Sequence, residues 1–151
     1  MLTAWWFEDY IVGTNREFGE IIVTESAIVE FARLYDPQLF HLDRGAAQES
    51  VFQGLIASGW HTASMTMRLL VDHYLSPQSS LGSPGVDKLR WLVPVRPNDQ
   101  LSVSATVINA RPSKSRPNQG IVRSQIKTLK QNKVVVMEFS ALMMIRCRKA
   151  G

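Results

Sequence analysis

The spacing of apolar residues changes character along the chain. Met1 to Gly13 is rich in Trp and Phe without a clear period and reads as a packed arm, and Glu17 to Val23 has strand character. In AIVEFARLY, Ile28, Phe31, Ala32 and Tyr35 fall at helical spacing, the stripe an amphipathic helix buries. Thr24 or Ser26 can cap its start. Pro37 disfavours helical geometry at the residue before it. The helix is therefore expected to end near Asp36, with His41 on an extended loop. GAAQES predicts a short helical turn, and the turn FQGLIASG leads into WHTASMTMRLLVDHYL. There Ala63, Met67, Leu70, Val71 and Tyr74 repeat at helical spacing until Pro77 stops the run. Small or apolar residues nearly all round predict a buried helix.

Beyond a Gly/Ser loop from Ser76 to Gly85 the period falls to two. KLRWLVPV, LSVSATVI, IVRSQIKTL and VVVMEFSALMMIRC read as strands, and Leu101, Val103, Ala105 and Val107 share one face. RPND, the loop RPSKSRPNQG and the tight turn from Lys130 to Lys133 separate them. A strand, then helices, then a run of antiparallel strands is an α+β order: one sheet against a buried helix, in a single domain over residues 1–151.

Composition narrows the classes. The 45% apolar and 20% charged content is that of a globular domain. No apolar run reaches the roughly 20 residues of a membrane helix. The start lacks a basic region and carries Glu8 and Asp9, unlike a secretory leader. One cysteine, Cys147, leaves no partner for an internal disulfide, and a cytoplasmic location is expected. The net charge of +4 gathers late in the chain without interleaved aromatics. That argues against a base-stacking nucleic-acid surface and fits a solvated face. A phosphate-pairing role for Arg111, Lys114 or Arg116 is the sharper alternative.

The candidate chemistry lies in YDPQLFHLD, which sets Asp36, His41 and Asp43 close together. Asp36 and His41 read in three ways: as loop-bonding groups, as metal ligands with Asp43, or as a pair holding one water. No further ligand cluster supports the metal, because His61 and His73 are 12 residues apart on another helix. In the third reading a carboxylate and an imidazole share the proton traffic of one water. The GLIASG turn places the amide of Gly59 or Trp60 at a helix N-terminus, where negative charge is favoured. An enolate oxygen needs such donors, and Gly59 permits close approach to the backbone. His61 is expected as a core histidine bonded to backbone. Met65, Met67, Met143 and Met144, and likewise Trp60 and Trp91, are ordinary core or the lining of an acyl tunnel.

These residues carry a resemblance. DPQLFHLD, GAAQES, VFQGLIASG, WHTASMTMRLLV and KLRWLVPVRPNDQLSV are similar to the successive motifs of the MaoC-like dehydratases, which include the R-specific enoyl-CoA hydratases of the hotdog superfamily. The likeness runs from roughly Phe18 to Cys147. It implies an antiparallel sheet wrapped around a long central helix and, usually, a homodimer. It implies reversible hydration of a trans-2-enoyl thioester of CoA or an acyl carrier, without metal or other cofactor. It further implies Asp36 and His41 as the catalytic pair and Gly59 as the oxyanion amide. Gln38 and Ser58 are expected as supports at the substrate site, with Trp60 beside them. Gln38-Leu39 replaces the family's Asn-Pro, and Ser58 stands where many members have histidine. A hotdog thioesterase and a non-catalytic acyl-CoA-binding subunit are the alternatives. Neither a nucleic acid nor a membrane is an expected partner.

Overall fold

The computed structural model describes residues 3–149; Met1 and Leu2 of the expected arm, and the last two residues, lie outside it. In chain order it contains β1 (Asn15–Ile22), α1 (Glu25–Tyr35), α2 (Leu39–Leu42), α3 (Arg44–Gln48), α4 (Gly59–His73), β2 (Gly85–Trp91), β3 (Gln100–Pro112), β4 (Gln119–Lys130) and β5 (Val134–Arg146). The strands form one antiparallel sheet in the order β1-β3-β4-β5-β2. This sheet packed on the long helix α4 is the hotdog arrangement.

Alternation builds the sheet's inner face. Leu101, Val103, Ala105 and Val107 of β3 are each at most 3% exposed, and Val122 and Ile126 of β4 are fully buried. β1 carries a register shift between Phe18 and Ile21. Gly19 sits inside it at φ +85°, where a Cβ would stand 2.7 Å from Leu69 of α4. Only glycine lets the bulged strand pass so close to the helix. The N-terminal arm packs as expected. Tyr10 is buried and donates its hydroxyl to the Tyr74 carbonyl at 2.6 Å, and the Arg16 guanidinium lies 3.8 Å over the Trp5 ring.

Several expectations need correction. The buried side of α4 is His61, Thr62, Met65, Thr66, Leu69 and Leu70, while Trp60, Met67 and Val71 are exposed. The helix thus buries one face rather than its whole circumference. Thr66 is hidden without penalty because its hydroxyl bonds the Thr62 carbonyl at 2.8 Å and the Thr128 hydroxyl at 2.6 Å. β2 begins at Gly85 and stops at Trp91, so Leu92 to Val95 lie outside it. β3 and β4 run into the loop between them and leave only residues 113–118 at its tip.

Candidate functional site

Asp36 closes α1. The helix starts at Thr24, whose hydroxyl accepts the Ala27 amide, and stops where Pro37 takes the chain out of helical geometry. His41 does not lie on an extended loop: Leu39–Leu42 forms one helical turn, and His41 sits inside it, 4% exposed. The turn is pinned from outside. Nδ1 of His41 meets the Ile56 carbonyl at 2.7 Å. A carbonyl only accepts, so the proton is on Nδ1 and Nε2 is left to the site.

Nε2 of His41 and Oδ2 of Asp36 are 3.2 Å apart. Asp36 is held by two further donors. Gln38 gives its amide N–H to Oδ1 at 2.7 Å, and Ser58 gives its hydroxyl to Oδ2 at 2.7 Å. Gln38 so reaches the carboxylate with one methylene more than asparagine has. Burial alone pushes the Asp36 carboxyl up, but the hydrogen bonds from Ser58 and Gln38, with His41 close by, outweigh it and hold it below the ordinary carboxylate range. Ser58, fully buried, also accepts the Trp60 amide at 3.2 Å and so caps α4.

The pair opens on a cavity of about 450 Å³ also lined by Gln38, Gly59, Trp60 and Thr62. Ser58 stands behind this lining, against Asp36. Gly59 is the first residue of α4, and its N–H has no hydrogen-bond partner among the described residues. Its lack of a side chain serves the protein itself as well as any ligand: a Cβ there would lie 2.4 Å from the Trp91 ring. Trp91 donates Nε1–H to the Gly59 carbonyl at 2.9 Å and stands edge to face with Trp60. Both indoles are largely exposed rather than core.

Asp43 is not beside the pair. Its carboxylate accepts the Ala46 amide at 2.7 Å and caps α3. His61 is buried as expected but not bonded to backbone: it stacks on Phe31 with ring centroids 4.8 Å apart, and its Nδ1 has no partner among the described residues. Burial, with nearby His41, lowers its pKa. Of the four methionines, Met65 and Met143 belong to the core, Met67 and Met143 line a second, apolar cavity, and Met144 is half-buried on β5. The cations of residues 111–116 are remote. Val136 lines the site and Arg146 pairs with Gln119 at the hairpin end. Ten strand residues, roughly 30 Å, separate them. The Ile56 carbonyl escaped the sequence reading because a backbone acceptor leaves no compositional trace, and so did the bond from Trp91 to Gly59.

The model of the MaoC-like domain family matches residues 9–129. The crystal structure of a MaoC-like dehydratase from Rhodospirillum rubrum is 42% identical, with TM-score 0.90, covering 97% of this chain and 100% of that one. The R-hydratase PhaJ1 of Pseudomonas aeruginosa shares the fold at 22% identity and TM-score 0.74, over 96% of this chain and 88% of its own. A conserved hypothetical protein of Mycobacterium tuberculosis, described as a double hotdog fold, matches 98% of this chain with 47% of its own, at 15% identity and TM-score 0.80.

Proposed function

The chain belongs to the MaoC-like domain family, and from that premise we propose that it adds water reversibly to a trans-2-enoyl-CoA, or the equivalent carrier thioester, giving a 3-hydroxyacyl thioester. The observation that carries this reading is the 3.2 Å approach of Asp36 Oδ2 to His41 Nε2 at the wall of a cavity that Gly59 also lines. With His41 neutral, Nε2 and the carboxylate both seek donors. The two O–H bonds of one water satisfy both and leave its lone pair for the substrate.

Water oxygen attacks the β-carbon, and the π electrons shift toward the thioester carbonyl. The Gly59 N–H, at the positive end of α4, takes the developing enolate oxygen. His41 Nε2 accepts the water proton and passes it to the α-carbon as the enolate collapses. Asp36 keeps its negative charge, held there by Ser58 and Gln38, and orients the water. Protein groups supply every proton position, so the reading calls for no cofactor. The protein acts as a single-domain cytoplasmic enzyme in this proposal.

A second copy completes the proposed assembly. β2 lies at the sheet edge with Val86 exposed, and Met67 and Val71 of α4 are exposed apolar groups. An unpaired edge beside apolar surface favours a homodimer, which light scattering on the purified protein tests. The activity is tested by following the enoyl absorbance of crotonyl-CoA alongside a free-thiol assay. Loss of the enoyl band without thiol release is expected. Thiol release at the same rate makes the protein a thioesterase, and no change in either signal removes the hydratase reading for that substrate.

A further inference from the structure

The segment from Phe52 to Ala57 sets the His41 ring from two sides. Its Ile56 carbonyl accepts from Nδ1 at 2.7 Å. Its Phe52 ring packs on Phe40 with centroids 5.2 Å apart, and Phe40 stands edge to face with the imidazole at 4.6 Å. Both phenylalanines line the catalytic cavity. A loop keeps its shape where its backbone groups are bonded. Toward the helical side, the Gly54 N–H bonds the Ala47 carbonyl at 3.0 Å and the Ile56 N–H bonds the Phe40 carbonyl at 3.2 Å. The remaining anchors are two consecutive residues beyond β2. The Val95 carbonyl accepts the Ala57 N–H at 2.8 Å, and Arg96 gives a guanidinium N–H to the Phe52 carbonyl at 2.6 Å.

Arg96 is itself rooted. Its backbone N–H bonds the carboxylate of buried Asp99 at 2.8 Å. Its guanidinium makes no ion pair among the described residues. The loop leaves space for it: Gly54 has φ +150°, and a Cβ there would stand 3.0 Å from Nη1 of Arg96. A charged donor makes a stronger bond to a carbonyl than a neutral one does. We propose that Arg96 is a positioning residue for the catalytic imidazole. It does not line the cavity. It clamps the loop that presents the Ile56 carbonyl to Nδ1 and the Phe52 ring to Phe40. With the clamp in place the imidazole proton stays on Nδ1, and Nε2 is free to accept a proton from water. Without it the Ile56 carbonyl withdraws, and the proton divides between the two nitrogens. An Nε2 that already carries a proton cannot take another as a neutral base. The inference deepens the hydratase reading and rests on it for the catalytic role.

Two readouts on Arg96→Ala test this. The first is nitrogen NMR of the imidazoles in mildly alkaline buffer, with the His41 signals identified by their loss in His41→Ala. In the wild type the two His41 nitrogens should differ as an N–H and a bare nitrogen do; in Arg96→Ala they should move toward one averaged position. The second is crotonyl-CoA kinetics, where kcat should fall about tenfold or more with KM little changed. In an active enzyme the proposal needs both changes, and either one alone overturns it. A lower Tm with unmoved His41 nitrogens overturns it by making Arg96 structural only. A KM raised for crotonyl-CoA but not for its pantetheine analogue, with kcat kept, overturns it by placing Arg96 on the CoA phosphates. If Arg96→Ala does not fold, Arg96→Met, which keeps most of the stem and drops every donor, is read in its place. If the wild type turns over no crotonyl-CoA, the nitrogen signals decide alone: averaging upholds the clamp while the hydratase reading falls for that substrate, and no averaging overturns both.

Discussion

Asp36 Oδ2 and His41 Nε2 stand 3.2 Å apart although one side chain closes α1 and the other belongs to the next helical turn. Ser58 and Gln38 fix the carboxylate, and the Ile56 carbonyl fixes the imidazole. Neither group can drift without breaking a bond made elsewhere in the fold. If the pair handles the protons of one water, Asp36→Asn and His41→Ala should each lower kcat/KM for crotonyl-CoA by about 10²–10⁴. Unchanged circular dichroism would show that the fold survives.

Ser58→Ala tests the support. Ser58 caps α4 and donates to Asp36, so its loss should cost about 1 kcal/mol as a cap. It should also let the Asp36 pKa rise. The folded-state value now lies below the ordinary 3.8. The carboxylate therefore adds stability above that ordinary value, and this is lost as pH falls through the lower folded value. Ser58→Ala should shrink the acid-side dependence of Tm. An acid-side dependence that does not change would leave Ser58 a cap only.

Gly59→Ala should be destabilising by about 1–3 kcal/mol, because its methyl collides with the Trp91 ring at 2.4 Å. Adding Trp91→Ala should restore part of that loss. A denaturant double-mutant cycle reads the coupling; additive effects would mean the two residues do not meet.

Tyr10→Phe should cost about 0.5–1.5 kcal/mol in thermal unfolding, since it removes the buried hydroxyl bond to the Tyr74 carbonyl. That bond fastens the N-terminal arm to the end of α4. A change well below this range would mean that ring packing alone holds the arm.

The sheet was legible because each inner position of β3 and β4 repeats every second residue, and α1 because Thr24 and Pro37 mark its ends. α2 was not. A single turn is too short to nucleate alone, and the contacts that hold it, above all Ile56 to His41, are long-range. α4 was expected to be buried all round, yet it buries one face, on which Thr62 and Thr66, which look like surface residues, are both hidden and Thr66 is hydrogen-bonded. Met67 and Val71 look like core, yet they are exposed. Apolar spacing marks surfaces that avoid water, and α4 has more of these than one chain covers. At the site, Asp36, Gln38, His41, Gly59 and Trp60 were visible in the motifs and share one cavity. The bond from Trp91 to Gly59 was not, because no local pattern ties residue 91 to residue 59.

The long β3–β4 hairpin ends in residues 113–118, at the pole of the sheet opposite the Asp36–His41 cavity. Engineering can use that separation. An affinity tag or fluorophore inserted at Lys114 would hang clear of the Asp36–His41 cavity, making this tip the natural handle for immobilising the protein with that cavity facing solution.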